Sequence, residues 1–129
     1  MPELKQLGTA SRNRLIKSYQ RNAKRRGLSF NLDEESFYSL AQSVCYYCGA
    51  PPSNIFKNNN KRKGFYVHSG IDRKNNKIGY TKNNSVACCK VCNFSKHKLS
   101  EKLFLEMIER IYLNKIKNKL YQTVITLKL

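Results

Sequence analysis

The sequence is short of acidic residues, with 8 Asp and Glu against 25 Lys and Arg among 129 residues. It also lacks any apolar run long enough to cross a bilayer, and its first residues lack the basic-then-apolar pattern of a secretory leader. These absences exclude a membrane-spanning chain and argue against a secreted one. We therefore expect a soluble, intracellular protein with no membrane partner.

The excess of basic residues gives a formal net charge of +17, far more than solubility requires. A charge of this size suits a polyphosphate, so we expect a nucleic-acid partner. Double-stranded DNA is the partner we expect, although the charge itself does not distinguish DNA from RNA. Anionic membranes and acidic proteins also attract basic chains, and part of the charge is compatible with an ordinary solvated surface. The abundance of Lys and Asn is typical of AT-rich genomes such as those of phages and organelles.

Four of the five cysteines form two C-x-x-C pairs, Cys45 with Cys48 and Cys89 with Cys92. An odd count in a chain without a leader argues against a disulfide framework and for reduced thiols. Four thiolates are the usual complement of a closed structural zinc site, which has no open position for a substrate. The sequence therefore predicts one structural Zn²⁺ in a reducing compartment. Cys88 is an alternative third ligand, but the spacing favours Cys89.

Apolar periodicity and turn residues divide the chain into three parts. Residues 1–44 are predicted to form a basic helical arm, with a helix from Thr9 to Arg26 and a second helix capped by Asp33. Residues 99–129 are predicted to form a C-terminal helix and a basic tail. Ser100 caps this helix, whose apolar side chains we expect to pack as core, and residues 123–127 are either a strand or a partner-binding segment.

Residues 45–98 form the central module. The stretch from Asn54 to Gly64 has no apolar period and is predicted to be an exposed basic loop. A strand is then predicted from Phe65 into Asp72, followed by a polar loop, a short strand at Val86-Ala87-Cys88 and a short helix after Cys89. Asp72 is the only acid between Glu35 and Glu101, and a lone acid in a basic segment indicates a function.

The segments around Asp72 resemble the HNH nucleases, also called the ββα-metal fold. Gly70-Ile71-Asp72-Arg73 is similar to the end of the first strand, Asn84-Ser85-Val86 to the start of the second, and Cys89 to Lys96 to the helix. The stretch Ala23 to Phe30 resembles the arm of phage-type members. The resemblance covers about residues 45–98 and implies an α+β fold, a small zinc-stapled ββα-metal module with flanking basic helices.

The resemblance also implies roles for single residues. Asp72 matches the carboxylate that binds the catalytic cation, Mg²⁺ or Mn²⁺, and Asn93 matches the helix residue that completes the site. His97 lies one helical turn after Asn93, so both side chains are expected on one face as ligands. Asn84 matches the asparagine that pins the loop between the two strands.

The chain departs from the family at the residue after Asp72. Most members have a histidine there, which takes a proton from the attacking water, whereas this chain has Arg73. A guanidinium stays protonated and cannot be that base, although it can hold the scissile phosphate. His68 is the other candidate base; it lies on the same strand face, about 13 Å from Asp72 at 3.3 Å per residue, and needs a bent strand to reach it.

Two main functions follow. The first is a metal-dependent HNH-type endonuclease that hydrolyses phosphodiester bonds in DNA. The alternative is a catalytically inactive HNH-derived zinc module that binds DNA or RNA as a structural subunit of a larger complex; a junction or recombination factor is a third hypothesis. The nucleic-acid contacts are expected from Arg21, Lys24, Arg25, Arg26, Lys61, Arg62, Lys63, Arg73, Lys74 and Lys96.

Overall fold

The computed structural model describes residues 8–57 and 64–128 of the chain. Its helices and strands are α1 (Thr9–Arg25), α2 (Glu34–Ala41), β1 (Asn54–Lys57), β2 (Phe65–His68), β3 (Gly70–Arg73), β4 (Ser85–Cys88), α3 (Lys90–Lys96), α4 (Glu101–Ile111), a π-helical segment (Tyr112–Lys117) and α5 (Asn118–Lys128). The predicted α+β class is confirmed. The chain divides into two compact units, the first ending at His97 and the second beginning at Lys98. No helix in the described ranges is long and apolar enough to span a membrane.

The first two helices begin and end at the predicted signals. α1 ends after Arg25, and Gly27 follows with a φ of 69°, a left-handed conformation that glycine adopts without strain. At the start of α2 the Asp33 side chain accepts a hydrogen bond from the Ser36 N–H at 2.7 Å. The predicted Asp33 cap is therefore confirmed.

The core of the first unit lies where α1 and α2 pack against β3 and the loop that follows it. Tyr19 of α1 meets Phe37 of α2 edge to face, with 5.2 Å between the ring centroids. The Tyr19 hydroxyl also accepts a hydrogen bond from the Ile71 N–H at 3.2 Å. The buried residues of this core are Leu15, Ala23, Leu32, Phe37, Tyr38, Ala41, Ile71 and Tyr80. Both helices thus form one unit with the strands and fix the position of β3.

The strands form two antiparallel pairs within residues 54–57 and 65–88, β1 with β2 and β3 with β4. The prediction of one continuous strand from Phe65 to Asp72 is wrong, because Ser69 interrupts it. The Ser69 N–H donates to the Ala41 carbonyl at 2.7 Å and its hydroxyl donates to the Ser43 carbonyl at 2.6 Å. These bonds to the end of α2 turn the chain from the first pair of strands into the second.

The predicted basic loop also differs from the structure. Its first four residues, Asn54–Lys57, form β1 and pair with β2, so the prediction is wrong for this stretch. This strand contains only two apolar residues, Ile55 and Phe56, between Asn54 and Lys57. So short a pattern is too weak to predict a strand from the sequence. The next predicted nucleic-acid contacts, Lys61, Arg62 and Lys63, lie outside the described residues.

The second unit is helical from Glu101 to Lys128. Ser100 caps α4, its hydroxyl accepting from the Leu103 N–H at 3.3 Å, as predicted. The alternative of a strand at residues 123–127 is wrong, because α5 includes them. Most apolar side chains that we expected to pack as core from α4 are exposed instead. Phe104 is buried, whereas Leu103, Ile108 and Ile111, and Tyr112 just after the helix, are about half exposed.

Candidate functional site

The four paired cysteines come together in space. The Sγ atoms of Cys45, Cys48, Cys89 and Cys92 all lie within 4.8 Å of one another, and those of Cys48 and Cys89 are 3.6 Å apart. Four sulfurs bound to one Zn²⁺ at about 2.3 Å stand about 3.8 Å from each other, so this spacing fits a single tetrahedral ion. The predicted four-cysteine metal-binding site is confirmed. In the part of the chain that the structure describes, it is the one cluster of three or more His, Cys, Asp or Glu ligands.

The local backbone prepares these thiols for a cation. Burial raises the pKa of Cys45, but N–H groups of Cys48, Cys89 and Tyr47 outweigh it and lower that pKa to about 6. Burial raises the pKa of Cys92, so four thiolates coexist here only around a positive ion. Cys88 is buried at the end of β4, outside the cluster, so it is Cys89 that joins the other three cysteines, as the spacing favours.

Asp72 lies beside this cluster in the fold, on β3, and only 5% of it is exposed. Its Oδ2 accepts a hydrogen bond from the Tyr47 hydroxyl at 2.9 Å, and Tyr47 belongs to the first C-x-x-C turn. The Lys96 ammonium, at the end of α3, lies 3.2 Å from Oδ2 and 3.4 Å from Oδ1. The carboxylate therefore stands where the first knuckle, β3 and α3 meet, and it is neutralised inside the protein.

Lys96 is completely buried, and its ammonium also donates to the Arg73 carbonyl at 3.1 Å. The prediction that Lys96 contacts nucleic acid is wrong, because all of its described partners are internal. A buried ammonium needs such partners, since an unpaired buried charge is very costly. Lys96 therefore ties α3 to β3 from inside the unit.

Arg73 and Asn84 organise the loop between β3 and β4. The Arg73 Nη1 donates to the carbonyls of Asn76 and Ile78 at 2.7 and 2.9 Å, and the guanidinium lies over the Tyr80 ring. Only 7% of Arg73 is exposed, and its predicted contact with the scissile phosphate stays a prediction. The Asn84 Nδ2 donates to three carbonyls of the same loop, and its Oδ1 accepts the Asn75 N–H. Its predicted pinning role is confirmed.

Comparison with known proteins adds to this geometry. No family model matches the chain. A solved structure of the rare-cutting HNH restriction endonuclease PacI matches it with a TM-score of 0.54 and 23% sequence identity, over 74% of this chain and 72% of that one. The chain has the fold of an HNH zinc module. The HNH-like fold implied by the sequence is thereby confirmed. An uncharacterized protein of Acanthamoeba polyphaga mimivirus is 35% identical over 89 residues, which are 69% of this chain and 14% of that protein.

The three remaining candidate residues of the HNH module have no described contact with the Asp72–Lys96 pair. His68 ends β2, in the other strand pair from Asp72; its Nδ1 donates to the Ser69 carbonyl at 2.9 Å and its ring stacks on Tyr66. The premise that His68 shares a strand with Asp72 is thus wrong. Asn93 and His97 are exposed, and His97 closes α3 with a φ of 49°. Their role as cation ligands stays a prediction.

Two residues that contact Asp72 in the HNH module, Tyr47 and Lys96, were not predicted as its partners from the sequence. Tyr47 is 25 residues from Asp72 and Lys96 is 24 residues away, so no local spacing links them. One signal for Lys96 was present: it lies three residues after Asn93 and so shares a helix face with it. Nothing comparable marks Tyr47.

The exposed cations in the described part of the first unit are concentrated on α1 and just after it. Arg21, Lys24, Arg25 and Arg26 are all exposed, and Lys74 is half-buried. Arg14, Lys17, Gln20 and Arg21 line a shallow open depression on the same helix. α1 therefore presents the described part of the surface with the densest positive charge.

Proposed function

We propose that the chain is a metal-dependent HNH-type endonuclease that hydrolyses phosphodiester bonds in DNA. Three observations support this: the fold shared with an HNH restriction endonuclease, the net charge of +17, and the Asp72 site. The observation that carries the proposal is the Asp72 carboxylate, which is nearly buried and held between the first knuckle and α3.

A buried ion pair needs an explanation beyond stability. Removing two charges from water costs several kcal/mol for each ion, and replacing such a pair by well-packed apolar side chains is often neutral or stabilising. Packing alone therefore does not account for Asp72 and Lys96 at the centre of this unit. Charged groups in such environments concentrate at functional sites, and we assign this one to catalysis.

In this proposal Asp72 would hold a Mg²⁺ or Mn²⁺ ion, with Asn93 and His97 of α3 as further ligands. Mg²⁺ commonly binds through one or two carboxylates, and waters and substrate phosphates fill its other positions, so a site with one Asp fits the group. When bound, the ion polarises the phosphodiester and stabilises the leaving oxygen. The Tyr47 hydroxyl would orient the carboxylate, and Lys96 would balance part of its charge.

The four cysteines would hold a structural Zn²⁺, since a filled tetrahedral thiolate site leaves no place for a substrate. This zinc connects the turn that carries Tyr47 to the first residues of α3, which carries Lys96. The staple thus fixes both residues that contact Asp72. Reduced thiols of this kind belong to a reducing intracellular compartment.

Double-stranded DNA is the partner we propose for α1. Its exposed cations, Arg21, Lys24, Arg25 and Arg26, can each neutralise a phosphate and release a counterion. The DNA affinity should then fall steeply with salt. The logarithm of the binding constant plotted against the logarithm of the salt concentration should have a slope of about −0.9 for each phosphate neutralised. Replacing Arg21 and Lys24 by Gln should reduce that slope, whereas Lys82→Gln, on the exposed Asp33 ion pair, should not.

A binding module without catalysis is the second candidate, and one observation favours it. Lys96 already takes both oxygens of Asp72, so a divalent cation must share the carboxylate with an ammonium that is fully buried. Arg73, in the position of the usual histidine, stays protonated and accepts no proton from water. In this candidate the ion pair replaces the cation and the HNH module only binds.

A plasmid-nicking assay separates the two candidates. Zinc-loaded wild-type protein is incubated with supercoiled plasmid and Mg²⁺ or Mn²⁺ and compared with Asp72→Asn, which keeps the size of the side chain. We expect nicking by the wild type and none by Asp72→Asn, with equal DNA binding.

Glu35→Gln is the matched control, because it removes one exposed carboxylate of α2 and should leave nicking unchanged. Binding without nicking by the wild type would establish the second candidate. Equal nicking by wild type and Asp72→Asn would contradict the assigned role of Asp72.

A further inference from the structure

Lys96 and Asp72 form a buried ion pair at the centre of the proposed catalytic site. Lys96 is completely buried, and its Nζ lies 3.2 Å from Oδ2 and 3.4 Å from Oδ1 of Asp72. The Tyr47 hydroxyl also donates to Oδ2, at 2.9 Å. Among the described residues Oδ2 thus has two donors and Oδ1 has one. A carboxylate has about four acceptor positions, so Asp72 has room for one more partner, on Oδ1.

The Lys96 ammonium opposes a second cation at this carboxylate. A divalent ion on Asp72 would share the carboxylate with a positive charge that already contacts both oxygens. Even in water, a unit charge and a divalent ion about 4 Å apart repel enough to weaken binding more than tenfold, and the repulsion is stronger inside a protein. Lys96 therefore lowers the affinity of Asp72 for the cation that the proposed reaction needs.

The protein supplies little negative charge to offset this repulsion. Asp72 is the only acid between Glu35 and Glu101, and in the described part of the chain it belongs to no cluster of three or more His, Cys, Asp or Glu ligands. A phosphate of the DNA backbone carries the missing charge. Substrate phosphates commonly fill the open positions of Mg²⁺ sites, so a bound phosphate would both contact the ion and compensate the ammonium.

We propose that Lys96 makes cation binding at Asp72 depend on bound DNA. Without DNA the ammonium neutralises the carboxylate and disfavours a divalent ion, whereas with DNA the added phosphate charge lets the ammonium and the ion share the carboxylate. The Arg73 carbonyl, 3.1 Å from Nζ, also accepts from the ammonium, so Lys96 does not have to leave the site. The ion and the DNA then bind cooperatively, and by linkage each raises the affinity of the other by the same factor.

This inference rests on the proposed function, because it assumes a catalytic cation at Asp72. The Mn²⁺ affinity of the zinc-loaded full chain, measured by electron paramagnetic resonance with and without a short duplex, tests it. The Mn²⁺ bound by the duplex alone is subtracted. The wild type should bind Mn²⁺ about tenfold or more tighter with the duplex than without it.

Lys96→Gln removes the charge but keeps a donor for the Arg73 carbonyl. Without DNA this variant should bind Mn²⁺ about tenfold or more tighter than the wild type, and it should gain less from the duplex. Lys82→Gln removes an exposed cation and should behave as the wild type does. Mn²⁺ should also raise the urea midpoint of Lys96→Gln more than that of the wild type. If Lys96→Gln is unfolded without Mn²⁺, its folding when Mn²⁺ is added is the same supporting result.

Two results would overturn the role of Lys96 alone. One is a wild type that binds Mn²⁺ equally well with and without the duplex, and the other is a Lys96→Gln variant that matches the wild type in Mn²⁺ affinity without DNA and in stabilisation by Mn²⁺. In either case, loss of Mn²⁺ binding in Asp72→Asn with the duplex present would leave the proposed function standing. Mn²⁺ binding by Asp72→Asn as tight as that of the wild type, with the duplex present, would overturn both proposals.

Discussion

The two polar sites of the first unit are held together in different ways. The cysteine cluster takes its ligands from two short turns, and its four thiols need a cation to become four thiolates. The Asp72 site takes its groups from a turn, a strand and a helix, and Lys96 already neutralises the carboxylate. The first site would therefore need an ion to hold four thiolates together, whereas the second keeps its geometry through internal contacts.

The largest expected effect comes from removing a cysteine ligand. Cys48→Ser should unfold the first unit, because structural zinc contributes about 10–16 kcal/mol to the folding of small zinc domains. Zinc content and a circular-dichroism melt measure this, with Cys88→Ala as the matched control. Cys88 is buried but outside the cluster, so this variant should keep one zinc and stay folded. A folded, zinc-free Cys48→Ser protein would show that the cysteine cluster, like the Asp72 site, keeps its structure without an ion.

Breaking the ion pair should have the next largest effect. Lys96→Met leaves the Asp72 carboxylate buried without its ammonium and should lower the free energy of unfolding by about 3–5 kcal/mol. Asp72→Asn with Lys96→Met should recover most of this loss, as urea unfolding of the zinc-loaded variants would show. Lys82→Met, which breaks the exposed pair with Asp33, should change stability little. If Lys96→Met lowers the free energy of unfolding no more than Lys82→Met does, Lys96 does not neutralise Asp72 inside the protein.

Tyr47→Phe should have a smaller effect on stability than Lys96→Met. The variant removes one hydrogen bond to an ionised carboxylate, which costs about 1–3 kcal/mol, less than the loss of Lys96. Zinc content should be unchanged, while nicking should decrease because Asp72 loses its orienting donor. Tyr46→Phe, the neighbouring residue in the same turn, is the control. Equal nicking by Tyr47→Phe and Tyr46→Phe would show that the hydroxyl has no role at Asp72.

His68 belongs to neither site. We expect it to affect only the way the free energy of unfolding changes with pH. Burial lowers its pKa, so the unfolded chain binds a proton at a higher pH than the folded protein does. The free energy of unfolding should therefore fall as the pH drops below about 6.5. His68→Gln should flatten part of this slope, and exposed His97→Gln should not. An unchanged slope in His68→Gln would exclude this histidine as the cause.

The cysteine cluster could be predicted from the sequence because its geometry is encoded locally. Each C-x-x-C turn presents two thiols, and Cys89 also caps α3, with its sulfur accepting the Cys92 N–H at 3.3 Å. The lone acid Asp72 and the loop-pinning Asn84 were predictable for a similar reason, since each occupies a recognisable position beside a strand. The α+β class followed from the same segments.

The partners of Asp72 could not be predicted in this way. Tyr47 and Lys96 are 25 and 24 residues from Asp72 and meet it only in the folded protein, and such tertiary contacts leave no spacing in the sequence. The strand predicted as one alternative for the tail is wrong for another reason. Residues 123–127, Thr-Val-Ile-Thr-Leu, have the composition of a strand but are helical. The hydroxyls of Thr123 and Thr126 donate to carbonyls four residues earlier and so are satisfied within the helix.

The most direct test of the account is the number of Mn²⁺ ions bound by the zinc-loaded chain in the presence of duplex DNA, measured by electron paramagnetic resonance. Cys88→Ala and Asp72→Asn are compared with the wild type after zinc content has been equalised. We expect Mn²⁺ binding by the wild type and Cys88→Ala, and its loss in Asp72→Asn with zinc retained. Mn²⁺ binding that is the same with and without the Asp72 carboxylate would contradict this expectation.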